Sequence, residues 1–304
     1  MLFFDENKST TNQEIPAPLG YRIAVKREDL LDPQVSGNKY RKLKYILEEA
    51  KTQQVQQLLT FGGAFSNHLA ALASAGKRMG FSTLGIVRGE EWQSKIDESP
   101  TLTFCKTMGM ELHCVSRAAY QLKEKSLEVA VHIKRNPQLL LIPEGGTSHL
   151  AVKGCREILT QQDQEFDTVC CSIGTGGTMA GLMEAAAKHQ TVIGFNALKN
   201  EGILATLETL TPKKNGHVDN DYTFGGYAKV NEELIRFINT FYQQTNIPLD
   251  PVYTGKLVFG IFERIKLNQW YWGKRILIIH SGGLQGIQGM NQRLKKKGMP
   301  IIEF

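Results

Sequence analysis

Val169-Cys170-Cys171-Ser172-Ile173-Gly174-Thr175-Gly176-Gly177-Thr178 is the stretch that decides how this chain folds. Its first half is a short apolar run of strand length, suited to burial on both faces of a parallel sheet. Its second half is a glycine–threonine loop, after which Met179–His189 reads as a helix. In strand–loop–helix units of this kind, ligands sit beyond the carboxyl ends of the strands. The loop lacks the Gly-Lys-Ser/Thr of a nucleotide-binding P-loop and the glycine spacing of a dinucleotide fingerprint. A small phosphate monoester fits it better. Gly174, Thr175, Gly176, Gly177 and Thr178 are therefore the candidate phosphate cradle, offering backbone N–H groups and two hydroxyls at a helix start. A tight turn that binds nothing is the alternative.

Outward from this unit the same alternation covers the chain. Residues 21–26, 58–61, 83–87, 111–115, 139–142, 191–198 and 276–279 read as strands. Helices are expected from about Lys39 to Ala50 and over 69–79, where Gly80 supplies the stop. Others follow from Ser99-Pro100 to near Gly109, over 118–134, from Ser148 to about Gln161, over 231–245, and beyond Lys256. Strands alternating with helices predict an α/β fold of open, mostly parallel sheets. Strand-end loops at Gly62–His68, Pro143–Ser148 and His280–Gly283 are further candidate ligand loops.

The 304 residues allow one large domain or two. A hydrophobic share of 41% and a charged share of 22% are those of an ordinary globular protein. The net charge of +6 is spread along the chain, with the densest clusters at Lys39–Lys44 and Lys295–Lys297. Without zinc-finger spacing or a basic stripe interleaved with aromatics, no nucleic-acid partner is expected. The five cysteines form no C-x-x-C pair and their odd number argues against a disulfide framework, with Cys170 and Cys171 read as buried strand residues. No apolar stretch has the length of a signal peptide or a membrane span, so the expectation is a reducing cytoplasm and no membrane.

The second informative stretch is Ser36-Gly37-Asn38-Lys39-Tyr40-Arg41-Lys42-Leu43-Lys44. Tyr40, Leu43, Ile46, Leu47 and Ala50 recur at helical spacing, leaving the charged residues for the opposite face. Ser36 and Asn38 are good N-cap types. A lysine at the positive end of a helix is disfavoured as an ammonium, which leaves a better nucleophile. The plainer reading of Lys39 is one solvated cation in a basic run. Taken with a phosphate cradle, polar strand-end loops and no metal-ligand cluster, however, the lysine suggests pyridoxal 5′-phosphate. That cofactor needs a lysine for its aldehyde, an anion site for its phosphate and a partner for its ring nitrogen.

Lys26-Arg-Glu-Asp-Leu30 with the lysine stretch, Gly62-Gly-Ala-Phe-Ser-Asn-His68, Gly174-Thr-Gly-Gly-Thr178, Asp250-Pro-Val-Tyr-Thr-Gly-Lys256 and His280-Ser-Gly-Gly283 form an ordered set. The set resembles the family of 1-aminocyclopropane-1-carboxylate (ACC) deaminase and D-cysteine desulfhydrase, pyridoxal-phosphate enzymes of the tryptophan-synthase-β fold. The resemblance implies two open α/β domains with the cofactor in the cleft. A larger domain would comprise 1–49 plus 156–304, and a smaller inserted one 50–155. It also implies a homodimer and a small amino-acid substrate. Lys39 would hold the cofactor and move protons, and Asn67 would bond the ring hydroxyl. Ser66, Asn67 and His68 would bind the substrate carboxylate side, and Tyr227 and Tyr253 would line the substrate side. Ser66, Tyr227 and Tyr253 join Lys39 as candidate catalytic groups.

Two positions bear on the reaction. ACC deaminases carry a glutamate at the ring nitrogen where this chain has Thr254, and an apolar residue where it has Ser281. Hydroxyls make a milder electron sink than a carboxylate, sufficient for β-elimination of a good leaving group. Thr254 and Ser281 thus resemble the D-cysteine desulfhydrase pattern, which implies conversion of D-cysteine to pyruvate, sulfide and ammonia. The chain departs from the family in being short, in Phe224-Gly-Gly-Tyr227 and in Leu284-Gln285-Gly286. ACC deamination to 2-oxobutyrate and ammonia, elimination from D-serine, L-serine or β-chloroalanine, and cofactor binding or sensing without efficient catalysis are the alternatives.

Overall fold

The computed structural model describes Phe4, residues 8–199 and residues 201–304. The chain enters through β1 (Asn12–Ile15) and β2 (Arg22–Lys26), an antiparallel pair, followed by α1 (Asn38–Thr52). Next come β3 (Gln57–Gly62), α2 (Asn67–Met79), β4 (Ser82–Arg88), α3 (Pro100–Thr107) and β5 (Glu111–Val115). Helices α4 (Arg117–Leu122) and α5 (Leu127–Arg135) precede β6 (Leu139–Ile142) and α6 (His149–Arg156). The chain continues with β7 (Thr168–Ile173), α7 (Gly177–Ala185), β8 (Thr191–Asn196), α8 (Ile203–Leu210) and β9 (Gly216–Asp219). It closes with α9 (Glu232–Thr245), α10 (Thr254–Lys266), β10 (Arg275–Ile279) and α11 (Gly286–Lys296).

Two open sheets result. The larger runs β1-β2-β10-β7-β8-β9 and is parallel except for β1; the smaller runs β5-β4-β3-β6 and is parallel throughout. Every residue of β7 is buried, as an apolar central strand of a covered parallel sheet should be. Helix α2 buries its alanines, Ala70, Ala71, Ala73 and Ala75, against α1 and the smaller sheet. Among the described residues no helix is long and apolar enough to cross a membrane.

Glycines set the closest packing. A Cβ on Gly154 in α6 would stand 1.9 Å from the Arg41 carbonyl oxygen in α1, and one on Gly181 in α7 would stand 2.4 Å from Cys155 Cβ. Helices α1, α6 and α7 therefore pack nearly backbone to backbone. Gly37, the residue before α1, has φ +61°, and a Cβ there would overlap the Ser281 carbonyl oxygen at 2.0 Å. The start of α1 is thus pressed onto the loop that follows β10, with Asn38 N–H donating to that same oxygen at 3.2 Å. The helix begins beside Lys39 as expected, but its cap is Gly37 rather than Ser36 or Asn38, because only glycine fits this approach.

The charged residues around Lys39 are not a solvated face. Arg41, Lys42 and Lys44 are buried. Arg41 grips Glu28 through two hydrogen bonds, 2.8 and 3.0 Å, Lys44 pairs with Glu157, and Lys26 pairs with Asp163 at 2.8 Å. Arg27 forks onto Asp29. By contrast Lys295, Lys296 and Lys297 are exposed at the end of α11.

Several boundaries moved for local reasons. The helix expected over 118–134 is two, because Lys123 takes φ +52° and buried Ser126 caps α5 by accepting from Val129 N–H. Helix α6 stops at Arg156 rather than near Gln161, and Thr160 with Asp163 starts a separate 3-10 turn over Gln161–Glu165. Helix α7 stops at Ala185 rather than His189, where Gln190 draws the chain aside by bonding Ala187 N–H and two carbonyls. Strand β8 ends at Asn196, whose side chain turns the chain by accepting from Leu198 N–H. Strands β1 and β9 and helix α8 were not anticipated. Both strands are edges of the larger sheet, where polar residues weaken the strand pattern.

Replacing Arg41 by Met leaves Glu28 buried and unpaired, which is expected to cost about 3–5 kcal/mol. Lys214→Met, at an exposed pair, is expected to cost less than about 1 kcal/mol. Urea midpoints at unchanged m-value check both, and equal small losses would contradict the burial.

Candidate active site

The carboxyl ends of β3, β6, β7 and β10 and the starts of α1, α2 and α7 converge on one cavity of about 960 Å³. Each sheet contributes two of those strands, so the cavity lies between the sheets. Lys39, Ser66, Asn67, His68, Gly174, Thr175, Gly176, Thr178, Tyr227, Tyr253 and Ser281 all line it. Gly177 opens α7 just behind the lining. Thr254 is the residue the structure does not bring in. It is buried on α10, and its hydroxyl bonds Asp250 Oδ1 at 2.7 Å.

Helix α1 delivers Lys39. Its Nζ donates to Asn38 Oδ1 at 3.1 Å, and Asn38 Nδ2 donates to Thr178 Oγ1 at 2.8 Å, tying the lysine to the glycine–threonine loop. Burial first, and then the charge of Lys42, push the Lys39 pKa down to about 7. The sequence attributed that effect to the helix end; the larger causes are a desolvated amine and a second cation.

Lys42 was not singled out by the sequence, although it lies one turn along the same helix face. Its buried ammonium donates to Gly145 O, Thr147 Oγ1 and Thr175 Oγ1 at 3.0–3.3 Å, and burial lowers its pKa. Among the described residues it has no carboxylate partner. Beside it, the N-cap of α7 is Gly176, φ +85°, which offers no capping side chain, so the N–H groups of the first turn have no intrahelical acceptor. A buried, unneutralised cation beside unpaired N–H groups is the donor set a phosphate requires.

At the other wall, Ser66 caps α2 by accepting from Leu69 N–H at 3.3 Å, leaving its own proton to give. Gly283 makes room for the Asn67 amide, since a Cβ there would stand 2.6 Å from Asn67 Nδ2. Thr60 Oγ1 donates to Ile142 O at 2.8 Å, so its 2.9 Å contact with His68 Nε2 assigns the ring proton to Nε2. His68 Nδ1 is then a buried acceptor without a protein partner. Burial and the neighbouring Lys39 and Lys42 hold the His68 pKa well below 6.5, so the ring is neutral. A neutral ring with an accepting Nδ1 cannot donate a hydrogen bond through that nitrogen. Tyr227 and Tyr253 stand edge to face, 6.4 Å between centroids, and burial raises both pKa values.

Ser281 Oγ reaches Ser172 Oγ at 3.2 Å on the floor of the cavity. Glu144, also missed, accepts from Tyr120 and Lys123 at the mouth. No cluster of metal-ligand side chains is present among the described residues.

The lysine amine, anion cradle and hydroxyl floor fit pyridoxal phosphate, and the family shown for the chain is the one that uses it. The chain belongs to the pyridoxal-phosphate dependent enzymes, whose family model matches residues 10–282. Within that family it is similar to proteins named for two activities. A Pyrococcus furiosus relative that provisionally carries the ACC deaminase name is 32% identical over 292 residues, 88% of this chain and 86% of that one. The Arabidopsis thaliana mitochondrial bifunctional D-cysteine desulfhydrase/ACC deaminase is 30% identical over 89% of this chain and 74% of its own. The crystal structure of an ACC deaminase homologue superposes with a TM-score of 0.85 at 28% identity, covering 95% and 94% of the two chains.

In cofactor-free protein, alkylation of Lys39 by a small aldehyde with cyanoborohydride is expected to rise through pH 7 and level off near pH 8.5, because the neutral amine reacts. Lys42→Met should move that midpoint upward by removing a neighbouring positive charge. Peptide mapping against pH reads both, and a midpoint near 10 would contradict the assignment.

Proposed function

We propose that this enzyme carries out α,β-elimination on D-cysteine, consuming one water and giving pyruvate, sulfide and ammonia. The observation that carries the reading is the floor of the cavity, where a hydroxyl, Ser281, stands and, among the described residues, no free carboxylate does. Asp250 is the nearby acid, but its two oxygens already accept from the N–H groups of Val252, Tyr253 and Thr254 and from the Thr254 hydroxyl. When bound, pyridoxal phosphate draws electron density from the Cα of an amino acid joined to it, and a hydroxyl at its ring nitrogen moderates that pull.

The chain's own groups divide the remaining work. Thr175, Gly176, Thr178 and Lys42 would hold the phosphate, and Asn67 the ring hydroxyl. Lys39, with a pKa of about 7, has a large share of free amine at neutral pH and serves as the base for the Cα proton. Ser66 and the first turn of α2 receive the carboxylate. Tyr227 and Tyr253 keep their protons and donate hydrogen bonds to the departing sulfur, whose thiolate is a good leaving group.

ACC deamination is the second reading, favoured by the names of the relatives. Holoenzyme given D-cysteine, L-cysteine and ACC separately decides between them. Sulfide and pyruvate from D-cysteine alone are expected; 2-oxobutyrate from ACC without sulfide from D-cysteine would contradict the proposal. Ser281→Ala should lower kcat about tenfold and shift the cofactor absorbance. Thr254→Ala should instead lower stability by about 1 kcal/mol through the lost bond to Asp250, with kcat little changed.

A further inference from the structure

Lys256 lies in the first turn of α10 and is 1% exposed. Among the described residues no carboxylate stands within ion-pair distance of it. Its Nζ donates instead to three backbone carbonyls: Thr223 and Gly226 at 2.8 Å each, and Ala197 at 3.4 Å. A buried cation is expensive unless every proton finds an acceptor, so this one is committed to its three partners.

Those partners are placed to matter. Thr223 O and Gly226 O each also accept a turn N–H, from Gly226 and Lys229. The ammonium therefore joins two consecutive turns, and Tyr227 emerges between them. Phe224 also packs edge to face on Phe259 and Arg293 donates to Ala228 O, so the ammonium acts on the turn backbone between these anchors. Phe224, Gly225, Gly226 and Ala228 all sit at positive φ, which for Phe and Ala is a strained backbone. Ala197, the third partner, directly follows β8 and leads to Leu198 and Lys199 in the cavity wall. Burial pushes the Lys256 pKa down to about 8, so most of the amine still carries its proton at neutral pH.

We propose that Lys256 is a positioning residue for the active site, clamping the turns on either side of Tyr227 to the end of β8 and so fixing where Tyr227 stands over the cavity. The proposal rests on the reading of Tyr227 as a substrate-side group. It assigns no contact with substrate or cofactor to Lys256 itself.

The test compares wild-type, Lys256→Met and Lys256→Arg holoenzymes by hydrogen–deuterium exchange and steady-state kinetics, with Tyr227→Phe and the double variant Lys256→Met/Tyr227→Phe alongside. In Lys256→Met, exchange across 222–229 should quicken at least tenfold while the phosphate-loop peptides and the cofactor absorbance stay unchanged. Its kcat/KM should fall about tenfold, adding little to the loss already produced by Tyr227→Phe. Lys256→Arg, which keeps a donor at the carbonyls, should recover most of both. Unchanged exchange across 222–229 in Lys256→Met and Lys256→Arg would overturn the clamp. Losses that multiply in the double variant would overturn its action through Tyr227. Full turnover by Tyr227→Phe would instead strike the reading of Tyr227, while the exchange result would still decide the clamp.

Discussion

Everything at the site depends on the backbone contact between Gly37 and the Ser281-Gly282 segment. Helix α1 carries Lys39 and Lys42, and β10 delivers Ser281, so the distance between lysine and floor is set where these two backbones touch. The contact leaves no space for any side chain at Gly37, whose φ is itself positive. Gly154 and Gly181 repeat the device further back, drawing α1, α6 and α7 together so that the phosphate loop reaches the same point. The geometry of the site is thus fixed by backbone proximity rather than by flexible side chains, which suits chemistry that requires several groups held in register.

Electrostatics supplies the second constraint. The segment Lys26–Asp29 buries two cations and two anions, each paired, and Glu28 reaches across to Arg41 two residues beyond Lys39. These pairs neutralise the frame around the cavity. Among the described residues Lys39 and Lys42 have no carboxylate partner beside the glycine–threonine loop. Their mutual repulsion and burial depress the Lys39 pKa, and a bound dianion would relieve the strain on Lys42. Affinity for an anionic cofactor and activation of the lysine therefore have one cause.

Much of this was legible in the sequence, and what was not has a physical reason. Strands buried on both faces, such as β7 and β10, declare themselves by composition alone. So do helices begun by Ser66, Ser99, Ser148 and Asn231, because a capping side chain is a local signal. The glycine–threonine loop and Lys39 could be picked out because glycine spacing and a lysine at a helix start are local as well, and the structure brings both to one cavity. The misses are non-local. The helical pattern leaves Arg41, Lys42 and Lys44 opposite the apolar face but cannot show that they are buried, because their partners Glu28, Thr147 and Glu157 are distant in sequence. Thr254 looked like a group facing the ring nitrogen, yet Asp250 claims its hydroxyl from four residues away. Edge strands β1 and β9 were missed because one side of an edge needs no apolar cover.

The most direct test of the central claim is borohydride reduction of the pyridoxal-phosphate-loaded protein, followed by peptide mass mapping. Reduction fixes the cofactor to whichever lysine it is joined to. The mass should appear on Lys39 and be absent from Lys39→Ala protein loaded in the same way. Label on Lys42 or Lys256 in the wild-type protein, or equal labelling of the Lys39→Ala variant, would contradict a site built around the start of α1.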